Sequence, residues 1–474
     1  MTQTGTRFRF QAALLVAAAF ALRMDSFGDP VAHSVDQFYL LVGQRMHWGL
    51  VPYVDIWDRK PPGIFLIYYL LTFVSTSAVV FQVAATLFAA ATAVMVARIS
   101  SRWASPTGAV FAGLLYLLML GDFYGNTGEA AIFYNLFVAV AVYLITGVPD
   151  FRRFCWAMLC LGVALTIKQT VIFEACLLGC AAVMRLSPDR WWRNGLEFVA
   201  IGILPTALFA GWFLLIGHFP AFWNAVTASI FLKASPTSAD IVGRSLDLGR
   251  RFIPLVALCA IALVLPSRPF APHRGFVMAW IAAAVLGVIL VPQLYIHYGQ
   301  PLVLPLSVAA SCALDRGRVG MALGALAALA SLIYHAPFQF AAHARSKAEM
   351  VALSELVRSL PGDSLLVFDG PSALYTMSGR RFLSPLVFPP HLNHAIELNV
   401  SGIDTNREIV RVLAMNPEVV VMATTPRNQP ANAVGWRLVR GFTAERCRLV
   451  AAPVVHEMGT EQLQVYACAN AQAN

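Results

Sequence analysis

The chain has 474 residues, of which 58% are hydrophobic and only 12% are charged, with a formal net charge of +9 at pH 7. A soluble globular domain carries about 25% charged residues, so this composition excludes one and predicts a polytopic α-helical membrane protein. The basic residues fall in short loops between apolar runs, which is typical of membrane orientation and argues against a nucleic-acid partner.

Long apolar runs predict about eleven transmembrane helices, because a helix needs roughly 17 to 25 apolar residues to cross the hydrocarbon. The first run follows Arg7 and Arg9, resembles a signal peptide and is interpreted as an uncleaved span. With the N-terminus in the cytoplasm, the predicted inner loops are all basic, and an odd number of spans places the C-terminus outside. The predicted spans are 10–24, 78–97, 107–120, 129–147, 154–167, 170–185, 196–217, 252–266, 275–291, 300–314 and 317–334.

Two large parts of the chain are predicted to lie outside the membrane. One is the first outer loop, residues 25–77, whose run from Ile64 to Phe73 predicts a helix on the membrane interface. The other is the C-terminal segment, which has the composition of a soluble domain and strand-like runs at 365–368 and 418–422. We therefore predict a transmembrane domain over 1–340 and an extracytoplasmic α/β domain over 341–474.

Only two of the eight cysteines, Cys447 and Cys468, lie in the predicted outer domain. An oxidising compartment allows such a pair to form a disulfide, but sequence does not give the separation of their Cα atoms. A disulfide and two free thiols therefore both stay open. The sequence contains no CxxC, HExxH or P-loop pattern, which argues against a nucleotide-driven pump.

The polar stretch 33–63 holds the densest set of ionisable residues beside a predicted membrane edge. Ser34 is predicted to cap a helix on which Asp36, Tyr39, Gly43 and His47 share one face. Asp36 is a candidate general base, although local sequence is equally compatible with a first-turn acid that the helix dipole stabilises.

The same stretch ends in four charged residues, Asp55, Asp58, Arg59 and Lys60, followed by Pro61-Pro62. The two prolines stiffen the end of the loop and favour an extended Lys60, which suits contact with a phosphate. The alternative is a salt-bridged interfacial loop in which Asp58 pairs with Arg59 or Lys60.

Further polar residues fall at the outer ends of later predicted helices. Glu129 begins a span, where a helix-capping role and a role in the site are equally compatible with the sequence. Lys168, followed by Gln169, lies in a hairpin between spans, where a cation needs water, an acid or a phosphate. His297 and Tyr298 lie between two spans, a position more typical of interface anchors than of catalytic residues.

Several of these residues recur in the order found in a known family. The members typically show Asp-Glu, then Gly, Pro-Tyr with Asp, and Lys-Pro-Pro, and the matches here are Asp36-Gln37, Gly49, Pro52-Tyr53-Val54-Asp55 and Lys60-Pro61-Pro62. His297-Tyr298, before Pro301 and Pro305, is similar to a later segment of the same family. The membrane part thus resembles the GT-C glycosyltransferases that use polyprenyl-phosphate sugars, including lipid A aminoarabinose transferases and protein O-mannosyltransferases.

The resemblance implies a GT-C fold, Asp36 as the catalytic base and Lys60 as a contact of the donor phosphate. By extension we predict that Lys168 and His297 also bind this phosphate. Gln37 replaces the Glu of many members and so removes one carboxylate, which disfavours a divalent metal at this pair. No other cofactor is expected. The residues expected to bind substrate or support the site are Tyr39, Tyr53, Asp55, Asp58, Arg59, Glu129, Gln169 and Tyr298.

The sequence therefore predicts an inverting glycosyltransferase in the inner membrane of a bacterium, with its C-terminal domain in the periplasm. The donor is expected to be an undecaprenyl-phosphate type of sugar, and the acceptor a hydroxyl on the outer face. The identity of the sugar stays open, as does the class of acceptor: a cell-envelope glycan such as lipopolysaccharide, a lipid or a protein. The alternative is a transporter or flippase of lipid-linked sugars, although the repeated halves of many transporters are missing.

Overall fold

The computed structural model describes residues 3–457 and 459–468, which are mainly helical. They form two compact units. The first unit consists of the residues up to Asp25, Gln82–Phe209 and Pro236–Gln339, and the second consists of Ser26–Phe81, Ala210–Ser235 and the residues from Phe340 onward. The second unit thus contains both the first predicted outer loop and the C-terminal segment.

The α-helices follow one another with short connections for most of the chain. Their bounds are α1 Gln3–Arg23, α2 Ser34–Met46, α3 Pro62–Thr72, α4 Ala78–Ser100, α5 Pro106–Gly121, α6 Ala130–Ile145, α7 Phe151–Ile167, α8 Ile172–Met184, α9 Trp191–Leu215, α10 Phe219–Trp223, α11 Ser229–Leu232, α12 Ser238–Val264, α13 Arg274–Ile289, α14 Gln300–Leu314, α15 Gly317–His335, α16 Phe340–Ser359, α17 Ala373–Ser378, α18 Pro390–Asn393, α19 Thr405–Ala414 and α20 Ala433–Arg446.

A helix lies at each of the eleven positions where a span is predicted, namely α1, α4 to α9 and α12 to α15. Within the described residues, four helical stretches are long and apolar enough to cross a membrane: Ala78–Ser100, Pro188–Leu215, Ala271–Ile289 and Gly317–Ser359. Several of the other helices are apolar but shorter, including α5 and α6. The helical membrane-protein architecture agrees with the prediction, whereas eleven crossings stay a prediction.

Helix α14 is the core of the first unit. It packs against α5, α6, α12, α13 and α15, and every one of its residues except Pro301 is buried. Some of the buried polar groups of this unit are paired across helices. For example, the Trp280 Nε1 on α13 donates a 2.7 Å hydrogen bond to Glu174 Oε1 on α8.

In the second unit, α2 and α3 form a close helical hairpin. A Cβ atom on Gly43 would lie 2.6 Å from the carbonyl carbon of Tyr68, so the two backbones approach to a distance that only glycine permits. One turn away, the rings of Tyr39 and Tyr68 make an edge contact at 5.4 Å. The helix face predicted to carry Tyr39 and Gly43 therefore packs on α3, the helix predicted at Ile64–Phe73.

The start of α2 differs from the prediction in one detail. The helix begins at Ser34 itself, and His33 is the N-cap residue. The predicted capping role of Ser34 is therefore wrong. A cap must lie one position before the first helical residue, and the chain enters the helix one residue earlier than expected.

The C-terminal segment contains a five-stranded sheet: β1 Leu365–Val367, β2 Val419–Ala423, β3 Cys447–Ala451, β4 Val454–His456 and β5 Thr460–Cys468. The strand order is β1-β2-β5-β3, with β1 parallel to β2, β5 antiparallel to both of its neighbours, and β4 paired to β5. Strands β1 and β2 confirm the two predicted strand runs and give the segment its α/β character. Cys447 and Cys468 face each other in the β3–β5 register and form a disulfide.

We expect Gly43→Ala to lower the thermal unfolding midpoint of the purified protein in detergent. The added methyl group would force α2 and α3 apart, and overpacking of this kind costs about 1–3 kcal/mol. The control is Gly441→Ala on α20, where a Cβ atom meets no other atom within 4 Å. That variant should be neutral or slightly more stable, because alanine favours a helix over glycine. Equal midpoints for the two variants would contradict the close approach.

Candidate functional site

The loop between α2 and α3 is organised around Tyr53. This residue has a positive φ of 72°, and its amide donates a 2.7 Å hydrogen bond to the Ile56 carbonyl. The centroid of its buried ring lies 5.4 Å from that of Phe213 and 5.9 Å from that of Phe222. Its hydroxyl donates to the Lys60 carbonyl at 2.7 Å. The predicted site residue Tyr53 thus fixes the backbone that carries Lys60.

The loop acids bond to its backbone. Asp55 Oδ2 accepts a 2.7 Å hydrogen bond from the Val51 amide, and Asp58 Oδ1 accepts one of 2.6 Å from the Arg59 amide. Each carboxylate therefore stabilises a turn of the loop. The structure gives Asp55 and Asp58 a role in shaping the loop.

Lys60 stands immediately before α3, with Pro61 as the N-cap and Pro62 as the first helical residue. Its Nζ donates a 2.9 Å hydrogen bond to the Tyr39 hydroxyl and lies 5.5 Å from the centroid of the Tyr39 ring. Tyr39 itself is fully buried. Because Tyr39 follows Asp36 by three residues on α2, the ammonium group is held on the helix face that begins at Asp36.

Arg59 and a lysine that the sequence analysis did not select, Lys233, share one carboxylate. The Arg59 guanidinium makes a two-point contact with Glu397, and Lys233 Nζ lies 2.7 Å from Glu397 Oε1. Burial raises the pKa of Glu397, but the charges of Arg59 and Lys233 outweigh burial and hold the pKa at about 2. Glu397 is therefore ionised at neutral pH.

The charge around Glu397 is positive in excess. Burial lowers the pKa of Lys233, Glu397 raises it, and the neighbouring charges of Arg59 and Lys60 lower it further. Burial also lowers the pKa of His391 to about 4, so this ring is neutral at pH 7. We name Arg59, Lys60 and Lys233 the cation cluster. Arg59 and Lys233 lie beside one buried carboxylate and Lys60 lies near Lys233, so the region carries excess positive charge that attracts a further anion.

Asp36 lies in the first turn of α2 and is only 1% exposed. Its Oδ1 lies 3.8 Å from Nδ1 of His33. The next residue, Gln37, uses both ends of its amide within the protein: Nε2 donates to Glu457 Oε1 at 2.6 Å, and Oε1 accepts from the Ala373 amide at 2.9 Å. The pair Asp36-Gln37 thus offers a metal ion one carboxylate and an amide oxygen that already accepts a hydrogen bond. This donor set does not suit a hard divalent cation.

In the first unit, four predicted residues line one pocket: Glu129, Lys168, His297 and Tyr298. His297 Nε2 lies 3.9 Å from Glu129 Oε1, and Lys168 Nζ lies 4.9 Å from the centroid of the Tyr298 ring. Glu129 also caps α6, since its carboxylate accepts a 3.2 Å hydrogen bond from the Ala130 amide. Gln169 is in the short turn that follows Lys168.

Sequence reasoning missed three residues that shape the second unit, namely Lys233, Glu397 and Glu457. One signal was available for Lys233, because the chain has only four lysines and two of the others were already selected. Glu397 and Glu457 are far from their partners in sequence, and no local pattern distinguishes them from other acids.

The scan against family models gave no match, and the search of curated proteins gave none either. Among solved structures, the apo state of ArnT from Cupriavidus metallidurans superposes with a TM-score of 0.66 at 12% identity, over 98% of both chains. The protein has the GT-C fold.

Two further structures share the GT-C fold with this chain. ArnT from Cupriavidus metallidurans bound to undecaprenyl phosphate gives a TM-score of 0.63 at 12% identity, again over 98% of both chains. The Archaeoglobus fulgidus oligosaccharyltransferase tethered to an acceptor peptide gives 0.52 at 10% identity, over 98% of this chain and 74% of that one. The fold implied by the sequence resemblance is thus confirmed.

We expect Glu397→Gln to destabilise the protein at pH 7 by about 3–5 kcal/mol, because Arg59 and Lys233 would stay buried without their counter-charge. The pKa of Glu397 is lower in the folded protein than its ordinary value of 4.5. Its stabilisation is therefore complete above about pH 4.5 and is lost as the pH falls through about 2. Thermal midpoints of the two proteins should converge over this range.

The matched control is Asp363→Asn. Asp363 pairs with Arg381 at 3.5 Å, but both side chains are more than half exposed. A surface pair contributes at most about 1 kcal/mol, so this variant should unfold like the wild type. If Glu397→Gln lowers the unfolding midpoint no more than the control does, the buried contacts of Glu397 with Arg59 and Lys233 do not stabilise the protein.

Proposed function

We propose that the protein is an integral-membrane glycosyltransferase. It transfers a sugar from a polyprenyl-phosphate donor to an acceptor hydroxyl on the periplasmic face of a bacterial inner membrane. The observation that carries this proposal is the hydrogen bond from Lys60 to the hydroxyl of Tyr39, a residue three positions after the buried Asp36 on α2. An acid and a cation at this spacing suit the two ends of a glycosyl transfer.

In the proposed reaction, Asp36 accepts the proton of the acceptor hydroxyl while that oxygen forms a bond to the anomeric carbon. The bond from the anomeric carbon to the phosphate oxygen breaks, and its electron pair stays on the phosphate. Lys60 stabilises this growing negative charge, which a preorganised cation does without moving. Because the acceptor attacks opposite the leaving phosphate, the configuration at the anomeric carbon inverts.

Three observations support the donor class and the location. ArnT, which has the same fold, has been solved with undecaprenyl phosphate, a lipid of the proposed donor type. The long apolar helices suit a donor with an isoprenoid tail, which reaches the enzyme through the membrane. The disulfide between Cys447 and Cys468 is typical of an oxidising compartment such as the periplasm.

The remaining predicted residues take supporting roles in this proposal. Lys168 and His297 bind the phosphate of the donor, and the Tyr298 ring orients Lys168. Glu129 orients His297 and caps α6, while Gln169 shapes the turn that carries Lys168. Arg59 adds positive charge to the cation cluster.

We expect Asp36→Asn to lower sugar transfer by about 10²–10⁴-fold, the usual contribution of a positioned general base. The measurement is the release of radiolabelled sugar from polyprenyl-phosphate sugar in membranes with matched expression, with the unfolding midpoint as a check of folding. Asp363→Asn makes the same chemical change at an exposed position and should transfer sugar like the wild type. Full transfer by Asp36→Asn would reject Asp36 as the base and favour the transporter alternative.

We expect Lys60→Gln and Lys168→Gln each to weaken binding of undecaprenyl phosphate by about 10- to 100-fold, because a charged hydrogen bond contributes about 1.5–3 kcal/mol. Binding is measured on purified protein in detergent by the inhibition of transfer and by the rise in unfolding midpoint. Lys347→Gln, on helix α16 of the C-terminal segment, is the matched control. If all three variants bind the lipid phosphate equally, the two lysines are not phosphate ligands.

A further inference from the structure

The side chain of Gln37 joins helix α2 to two distant parts of the C-terminal segment. It donates to Glu457, which directly follows β4, and accepts from the amide of Ala373, the first residue of α17. Gln37 and Glu457 are both only 2% exposed. An amide suits this position because it supplies one donor and one acceptor from the same group.

Glu457 itself is anchored by a guanidinium. The second carboxylate oxygen of Glu457 lies 2.5 Å from Arg427 Nη2. Arg427 Nε lies 2.5 Å from Glu461 Oε2. The backbone N–H of Arg427 donates a 3.0 Å hydrogen bond to Asp369 Oδ2. Burial raises the pKa of Asp369 to about 7, although the amide and the charge of Arg427 oppose this rise. One cation thus serves three carboxyl groups, and the surroundings of Gln37 already carry more acid than base.

A glutamate at position 37 would conflict with this arrangement. Its carboxylate would face the Glu457 carboxylate at the present 2.6 Å distance with no proton between them. Two like charges at hydrogen-bond distance in a buried site repel strongly, and one of them must take up a proton or move away. Moving the side chain would break the contacts to Glu457 and Ala373 that hold the first turn of α2, where Asp36 lies.

The C-terminal segment also holds the rest of α2. The ring of Phe38 lies 5.1 Å from that of Phe388, and Arg45 Nη2 donates a 2.9 Å hydrogen bond to the Arg380 carbonyl. The helix is therefore fixed at both ends by the same segment. A change in the Gln37 contact has no free helix end through which to relax.

We infer that Gln37 and Glu457 are a matched amide–carboxylate pair that positions Asp36 and keeps it the single carboxylate at the start of α2. This inference rests on the proposed role of Asp36 as the base. Glu457 and Gln37 are positioning residues, and the C-terminal segment is part of the catalytic apparatus. The amide that departs from the family pattern is then required by the acid that it contacts.

The test is a swap of the two groups. Gln37→Glu should lower kcat about tenfold or more and lower the unfolding midpoint, because a buried carboxylate pair loses its hydrogen bond. Glu457→Gln removes one charge that binds Arg427 and should also lower both. Its effect should be smaller, because Glu461 and Asp369 still contact that guanidinium. The double variant Gln37→Glu/Glu457→Gln restores one acid and one amide in contact, and it should recover most of the kcat and of the midpoint. The donor KM should change little in all three, because the cation cluster is intact.

The control combines Gln37→Glu with Glu461→Gln. Glu461 is another of the three acids around Arg427 and contacts it as closely as Glu457 does. Substituting Glu461, however, leaves the Glu457 carboxylate opposite position 37. This combination should not restore activity or stability. If Glu461→Gln rescues the Gln37→Glu variant as well as Glu457→Gln does, the rescue reflects only the lower negative charge. The proposed pair of Gln37 and Glu457 would then be rejected.

The outcome for the pair can be separated from the outcome for the proposed function. The unfolding midpoints of the four proteins report the coupling between positions 37 and 457 without any transfer assay. If the change in midpoint of the double variant equals the sum of the two single changes, the proposed pair is rejected, even if Asp36→Asn abolishes transfer. If the midpoint changes are not additive but Asp36→Asn transfers sugar fully, Asp36 is not the base. Gln37 and Glu457 then have no positioning role, and their contact is only structural.

Discussion

The fixed position of helix α2 is the constraint on which the second unit depends. On one side its backbone meets that of α3 at Gly43, with no room for a side chain. At its first turn the amide of Gln37 bonds to Glu457 and Ala373. Asp36 lies within this first turn, so the contacts of its neighbour Gln37 help to place its carboxylate. Preorganisation of this kind lets a carboxylate accept a proton without a costly rearrangement of the protein.

The cations of the loop are held by a different principle, which is compensation of buried charge. Arg59 and Lys233 stay inside the protein because Glu397 is ionised beside them. Lys60 is not part of that ion pair, and its ammonium group bonds to the neutral hydroxyl of Tyr39. An ammonium with a neutral partner keeps its full charge for an incoming anion. The arrangement thus divides the cation cluster into members that stabilise the protein and one that is suited to a ligand.

Local sequence patterns predicted the helices and the polar residues but not the long-range pairs. Helix positions follow from apolar runs, and α3 follows from the run at Ile64–Phe73. Glu129, Lys168, His297 and Tyr298 were selected separately as polar residues at apolar helix ends, and the structure places all four around one pocket. Glu397 and Glu457 have partners hundreds of residues away. Their roles are fixed by tertiary packing, which a single sequence does not encode in any local spacing.

The disulfide has a consequence for the assembly of the site. Cys447 and Cys468 close a loop of the chain that contains β4, most of β5 and both Glu457 and Glu461. A covalent link across such a loop restricts the unfolded chain and favours the ordered hairpin. The acid that contacts Gln37 is therefore carried by a segment that the disulfide stabilises. Before those thiols are oxidised, the protein can be inserted in the membrane and still lack the restraint that aligns its proposed base.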